Sequence, residues 1–289
     1  MLPASFGYVA ACSVEEALQL LAKHGDDAKL LAGGHSLIPA MKLRLASPRY
    51  LIDLGAVPGL RGVRVDGDSL AIGALTVHAD VAASDLVRQQ LPGLADAASM
   101  IGDVQVRNRG TVGGSVAHAD PAADLPVILT ALNASFVLQS AAGNRTVAAD
   151  EFFIDFYTTA IAANEVLTEI RVPLPPPGAG TAYAKLPHPA SRYVVVSAGV
   201  LIHRQPSGQC ASARIAIGGM GSNPIRATAT EAALQGQLLT GDVIARAAAK
   251  AAEGTNPDDD FYASADYKRQ VATVYTRRAI EAAVERAKN

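Results

Sequence analysis

The chain has 289 residues, 49% hydrophobic and 18% charged, enough to bury more than one core and too apolar to stay disordered. Its net charge of −2 lacks the basic bias of a nucleic-acid binder. Two cysteines, Cys12 and Cys210, argue against a disulfide framework and against an iron–sulfur cluster held by this chain alone, which would take about four.

The opening MLPASFGYVAACSVEEALQLL has no charged region leading into a continuous apolar run. No window reaches the roughly 18 to 20 apolar residues of a membrane span. The expected placement is cytoplasmic. Ser13 followed by Glu16 reads as a capping box, and Ala17, Leu18 and Leu21 give the apolar stripe of a first helix that stops at Gly25. AKLLA (28–32) and RYLIDL (49–54) read as short strands, so the first 55 residues form a small α/β unit.

From about residue 56 the texture changes. LRGVRVDGDSLAIGALT reads as a hairpin turning at Asp66-Gly67-Asp68. A helical stretch over 78–101 is interrupted at Leu91-Pro92-Gly93. VRNRGTVGGSVAHADPAADLP is rich in Gly and Pro yet patterned, and a helix follows from Asp124. SFVLQS and RTVAA are further strands. RVPLPPPGAG (171–180) is the expected linker, because a proline run continues neither sheet nor helix. This divides the chain at 1–55, 56–175 and 176–289. The last part carries three strand-like runs, TAYAKL, RYVVVSAGVLIHR and CASARIAIGGM, then two helical patterns expected on one face of the sheet. In the final helix the expected stripe is Tyr267, Val271, Val274 and Tyr275.

Two glycine pairs carry the chemistry. Ala32-Gly33-Gly34-His35-Ser36-Leu37 and Thr111-Val112-Gly113-Gly114-Ser115 share an apolar lead-in, two glycines and a small hydroxyl residue nearby. Glycine admits a sharp turn and lets a ligand reach backbone N–H groups with no Cβ in the way. Successive N–H groups of such a turn make a concave anion site. Two of them could grip the two phosphates of a diphosphate. A nucleophile elbow would need G-x-S-x-G, but Ile38 and Pro39 stand where the small residue should follow Ser36. Neither turn has the G-x-G-x-x-G of a Rossmann fold, and the Walker G-K-[ST] is absent. His118 and Asp120 lack a second histidine at ligand spacing, so no metal site is expected. Asp124 has two readings, a helix N-cap worth about 1 kcal/mol or an acceptor for a polyol hydroxyl beside the second turn.

With both turns in view, the chain resembles the flavin-binding medium subunits of the molybdenum hydroxylases, nearest the aerobic carbon monoxide dehydrogenases, with the xanthine dehydrogenase flavin domain more distant. The resemblance rests on AGGHSLIPAMKLR (32–44), QVRNRGTVGGSVAHADPAADLP (105–126), EVLTEIRVP (165–173) and YKRQVATVYTRRA (267–279), and it covers essentially the whole chain. It implies an α+β protein of the vanillyl-alcohol-oxidase type. Two α/β subdomains would embrace FAD, and a C-terminal domain would have a three-stranded antiparallel sheet and helices.

The resemblance places the diphosphate on Ala32, Gly33, Gly34, His35, Ser36 and Leu37 and on Thr111, Gly113, Gly114 and Ser115. Asp124 would lie near the ribityl and adenosine portion. Ile101, Leu167, Lys185 and Tyr193 would lie near the flavin ring, Tyr193 stacking on it. Each of the last three also has an ordinary reading. Leu167 suits a strand core, Tyr193 a packed strand start, and Lys185 a side chain snorkelling from a sheet edge. KLPHPASRY (185–193) is less basic than the corresponding segment of carbon monoxide dehydrogenase subunits, a departure that bears on substrate and not on flavin.

The resemblance also implies partners. A large subunit would hold the molybdenum cofactor, and a small subunit would hold two 2Fe–2S clusters, in a dimer of heterotrimers. Electrons would pass through this chain's FAD to a quinone, NAD or dioxygen. A quinone acceptor would bring the complex to the inner face of the membrane. No residue of this chain is expected to act as acid or base in substrate hydroxylation. Related subunits serve purine, N-heterocycle and aldehyde hydroxylases. A stand-alone flavin oxidase and a non-redox nucleotide-binding module are the rival readings.

Overall fold

A computed structural model describes residues 2–287. The first helix is Val14–His24. Ser13 Oγ accepts from Glu16 N at 3.1 Å, while the Glu16 carboxylate takes the Cys12 amide at 2.7 Å, one residue before the cap. Gly25 ends it at φ +52°, a left-handed conformation that glycine adopts without strain. Val14, Ala17, Leu18 and Leu21 face a three-stranded sheet in which Tyr50–Asp53 lies between Gly7–Ala10 and Ala28–Leu31. All pairings are parallel, as crossover connections require. Gly7–Ala10 left no mark in the sequence reading. Its four residues alternate between half-buried and exposed, and their short Tyr-Val-Ala run is too brief to mark a strand.

The second unit is a five-stranded antiparallel sheet in the order Val63–Asp66, Ser69–Gly73, Val166–Pro173, Ser135–Ser140, Gly143–Ala148. Gly67 takes φ +62° in the expected hairpin turn. The helical stretch resolves into His78–Ala83, Asp85–Gln90 and Pro92–Met100. The second helix is capped by Ser84, and the third opens with Pro92 at its first turn, where a missing N–H costs nothing. Gly93 is more than a breaker. A Cβ there would stand 2.7 Å from Ala182 N, and its own N–H bonds Thr181 Oγ1 at 3.0 Å, so this helix docks on the C-terminal sheet.

The expected linker is shortened at both ends. Val166–Pro173 keeps its pairing through Pro173, and only residues 174–178 connect the units before Ala179–Pro187 begins. A proline is tolerated as the last residue of a strand, where no further ladder donor is needed.

One correction concerns the C-terminal unit. Its sheet has a fourth, two-residue strand, Ile225–Arg226, beside Ala179–Pro187, Val194–Arg204 and Cys210–Gly218. Its own helices pack on one face, as expected, and helices of the middle unit cover the other. Thr228–Leu234 and Ala265–Arg286 pack on one, Pro92–Met100 and Asp124–Ala131 on the other. VVVSAGVLI is a continuous apolar run because a strand covered on both sides has no wet face. In Ala265–Arg286 the buried face is Lys268, Val271, Ala272, Thr276, Ala279, Ile280 and Ala283, while Tyr267 and Val274 are 46% and 44% exposed. Small residues line that face because the helix backbone presses on Gly180, where a Cβ would overlap the Ala283 carbonyl and lie 2.6 Å from Ala287 N.

Candidate functional site

The first glycine turn joins Ala28–Leu31 to the short helix Leu37–Lys42. Gly34 sits at φ +76°, which a Cβ would strain. Among the described residues the backbone N–H groups of Gly33, Gly34, His35, Ser36 and Leu37 find no protein acceptor, and the Ser36 side chain makes no cap bond. His35 Nδ1 lies 3.2 Å from Gly33 O. A run of unpaired donors is costly unless water or a ligand takes it.

The second turn is built differently. Thr111 caps Val112–His118, its Oγ1 accepting from Gly114 N at 3.1 Å. Val112 N bonds Thr76 O, Gly113 N bonds Ala74 O, and Ser115 N bonds Thr111 O. Its amides are therefore engaged with the protein. It offers instead the Ser115 hydroxyl and a surface bare of Cβ at Gly114. Gly113 is glycine for packing, since a Cβ would stand 2.6 Å from that of Ala74.

The two turns meet. A Cβ on Gly33 would overlap the Arg109 carbonyl oxygen and stand 2.9 Å from Gly110 Cα, and one on Gly114 would touch Ala32 at 3.7 Å. A cavity of about 340 Å³ opens at the first turn, lined by Leu31, Gly33, Gly34 and His35 with the cations Lys42 and Arg109. Bare backbone, free donors and positive side chains suit a diphosphate.

His78, unmarked by any local motif, supports this floor. It is 4% exposed, its amide bonds Gly110 O at 3.0 Å, and its ring packs where a Gly110 Cβ would stand. Its Nδ1 has no partner among the described residues. Burial, then the neighbouring His35 and Arg107, push its pKa down to about 4. The unfolded chain therefore binds a proton near pH 6.5 that the folded chain refuses. Stability is full above that pH and falls as pH drops towards 4, by about 3 kcal/mol in all. Urea unfolding at pH 7 and 4.5 should show this slope, and His78→Phe should flatten it.

A second cluster lies where the middle and C-terminal units meet. Asp124 is not the N-cap of Asp124–Ala131. Ala123 occupies that position, and Asp124 is 4% exposed and bound to other side chains. Its Oδ1 lies 2.7 Å from Lys185 Nζ and accepts from the Tyr183 hydroxyl at 3.0 Å. Lys185 does not snorkel. Its side chain is 2% exposed, and Nζ also donates to Met100 O at 3.1 Å and Arg192 O at 2.7 Å. Burial pushes the Asp124 carboxyl up and the Lys185 ammonium down, and their mutual attraction opposes both shifts. The Tyr183 phenol, absent from the sequence reading, is raised by burial and by Asp124. Its position in an alternating strand gave no sign of this.

Ile101 follows Met100 at the end of Pro92–Met100, and Arg107 holds its carbonyl at 2.9 Å. Tyr193 precedes Val194–Arg204 and is 44% exposed, so it is not a packed strand start. Val194 N bonds Ala122 O at 3.0 Å, bringing Tyr193 beside the loop that leaves the second glycine helix. Burial of its ring and Asp120 raise its phenol pKa. Backbone and side-chain bonds thus join Ile101, Asp124, Lys185 and Tyr193 into one neighbourhood. Leu167 stands in the central strand at a bulge, 7% exposed within the sheet core. His118 lies against the Tyr157 ring at 5.0 Å. Among the described residues no group of three or more His, Cys, Asp or Glu is placed to hold a metal, and no helix is long and apolar enough to cross a membrane.

The model of the FAD binding domain in molybdopterin dehydrogenase matches residues 4–175, and that of the CO dehydrogenase flavoprotein C-terminal domain matches residues 181–283. The chain belongs to this flavoprotein family. It is the medium, FAD-domain subunit of a molybdenum hydroxylase, an oxidoreductase component, as the whole-chain resemblance implied. This medium subunit is 43% identical over 283 residues to the carbon monoxide dehydrogenase medium chain of Hydrogenophaga pseudoflava, covering 98% of each chain. It is 41% identical to the 6-hydroxypseudooxynicotine dehydrogenase complex subunit alpha of Paenarthrobacter nicotinovorans, covering 100% of this chain and 97% of that one. Among solved structures, the H. pseudoflava carbon monoxide dehydrogenase superposes with a TM-score of 0.95 at 45% identity, covering 99% of each chain. Quinoline 2-oxidoreductase from Pseudomonas putida 86 gives 0.93 at 32% identity, again over 99% of each.

Proposed function

We propose that this subunit holds the FAD diphosphate between residues 32–37 and 111–115 and relays electrons from its partner subunits to an external acceptor. The observation that carries the reading is the row of free amides from Gly33 to Leu37, abutting the bare second turn and flanked by Lys42 and Arg109. These residues fit a diphosphate. In this reading Asp124 accepts from a ribityl or ribose hydroxyl, and Ile101, Leu167, Lys185 and Tyr193 lie near the flavin ring. Bound FAD supplies the ability to take electrons one at a time and release them in pairs. The protein contributes anion binding, ring orientation and exclusion of water. In this reading no residue of this chain acts as acid or base in substrate oxidation.

The same reading puts the molybdenum cofactor on a large partner and two 2Fe–2S clusters on a small one, as a dimer of heterotrimers. It divides this chain into flavin-binding subdomains 1–55 and 56–175 and a C-terminal domain 176–289. Carbon monoxide is the proposed fuel, on the 43% identity to a carbon monoxide dehydrogenase chain. The 41% identity to the 6-hydroxypseudooxynicotine dehydrogenase subunit supports an N-heterocycle as the second reading. Assaying the purified complex with each separates them.

Gly114→Leu tests the phosphate assignment. A leucine there would put Cβ 2.7 Å from Thr111 Oγ1 and 3.7 Å from Ala32, so the side chain must go out over the turn where the phosphate is read to lie. The complex should lose its flavin while the molybdenum and iron–sulfur centres persist by metal analysis. Retained flavin with a normal visible spectrum and normal reducibility would overturn the assignment.

A further inference from the structure

A short hairpin of two strands, Phe153–Asp155 and Thr158–Thr159, carries Phe156 and Tyr157 at its tip, where they are 51% and 57% exposed. The tip is held in shape. Asp155 Oδ1 accepts from Phe156 N at 2.8 Å, and Thr158 Oγ1 donates to Phe156 O at 2.9 Å. Asn223 of the C-terminal unit donates to the carbonyls of Phe153 and Ile154 at 2.9 and 3.3 Å. Tyr157 takes φ +52°, a left-handed conformation uncommon outside glycine. A large ring left wet on a fixed and strained backbone points to a ligand.

The tip is also tied to the neighbourhood of Tyr193. The Tyr157 ring lies 5.0 Å from that of His118, the last residue of Val112–His118. At the other end of the loop that follows, Ala122 O accepts from Val194 N, next to Tyr193. Asp120 stands between them, its Oδ1 accepting from Ala122 N at 2.9 Å. Burial and Asp120 raise both phenols, and Tyr157 raises that of Tyr193 further, so the two share one electrostatic field. We infer that Tyr157 and Tyr193 flank a docking site for the external electron acceptor, and that it takes an uncharged planar ring of the quinone class. Two phenol rings supply flat apolar area and hydroxyl donors for a ring that carries carbonyl oxygens. The Asp120 carboxylate repels an anion, which sets the site against a dinucleotide's diphosphate. There the quinone gains two electrons and two protons from the reduced flavin and leaves as the hydroquinone, and the flavin is left oxidised. The acceptor role rests on the function proposed above.

The test uses the assembled complex with its partner subunits, and menadione as the probe. Tyr157→Gly removes the ring and suits the left-handed backbone, while Tyr157→Phe keeps the ring. In the oxidised parent, menadione should slow amide hydrogen exchange across residues 153–159, and in Tyr157→Gly that slowing should vanish. The KM for menadione should rise about tenfold in Tyr157→Gly, the factor expected for losing one aromatic face, with kcat within about twofold of the parent. Tyr157→Phe should restore both the protection and the KM. Exchange that menadione leaves unslowed in an FAD-bearing parent, or slowing that Tyr157→Gly keeps, overturns the site. Slowing by NAD and none by menadione overturns the quinone class. FAD lost from Tyr157→Gly, or kcat lowered with KM unmoved, puts Tyr157 in the flavin cradle and overturns its place in the acceptor site. A parent complex with no bound FAD overturns the function proposed above and the acceptor role with it, whatever the exchange shows.

Discussion

Gly33→Ala is expected to strip FAD from an otherwise folded complex, weakening it by about 100-fold or more. The added methyl would overlap the Arg109 carbonyl oxygen and crowd Gly110 Cα at 2.9 Å. Neither is the far end of a side chain that could swing aside, so the backbone turns must separate. The free amides of residues 33–37 then lose their alignment with the second turn. Each charge-assisted bond to a phosphate oxygen contributes about 1.5–3 kcal/mol, so losing two accounts for that factor. Flavin released on denaturation, counted per chain and compared with iron and molybdenum content, reads the result. His35→Ala is the contrasting control. Among the described residues its ring makes one hydrogen-bond contact, Nδ1 to Gly33 O, and its removal puts no atom between the turns. A complex of Gly33→Ala that keeps one flavin per chain with parent-like absorbance would show that the diphosphate lies elsewhere.

Gly180→Val is expected to destabilise the protein by about 3 kcal/mol or more, the upper end for overpacking, because the clash is with helix backbone. Ala283 O, Ala287 N and Arg286 C surround the place where the side chain would stand. The last helix would have to lift from the sheet it covers. The same end of that helix carries Arg286, which bonds Asp96 Oδ2 at 2.5 Å and Thr181 O at 2.9 Å and so ties the C-terminal unit to the middle one. Displacing it loosens that junction as well. A fall in the unfolding midpoint in urea at unchanged slope measures the effect. Gly241→Ala, where a Cβ meets nothing within 4 Å, should leave the midpoint unmoved or slightly raised.

Much of the fold was legible where a local rule acts alone. The Ser13 cap and Gly25 stop bracket the first helix, the Gly67 turn closes its hairpin, and Pro92 breaks the long helical stretch where expected. The misses share a cause. Gly7–Ala10 is a strand because Tyr50–Asp53 lies beside it, not because of its own pattern. The final helix buries alanines in preference to Tyr267 and Val274 because Gly180 admits its backbone so closely. The linker reading swallowed five paired residues, 171–173 and 179–180, because proline and glycine are weak guides at the ends of strands.

For the site, the sequence by itself determined where bare backbone would occur, at Gly33-Gly34 and Gly113-Gly114, since local backbone freedom is a property of the residue. It also determined the family, through the order and spacing of those motifs. Only the tertiary structure decided that the first turn keeps its amides free while the second spends its own on Ala74, Thr76 and Thr111. The same holds for His78 beneath Gly110 and for Lys185 holding Asp124, Met100 and Arg192 together. Hydrogen-bond partners and burial are set by residues remote in the chain, and no local pattern carries that information.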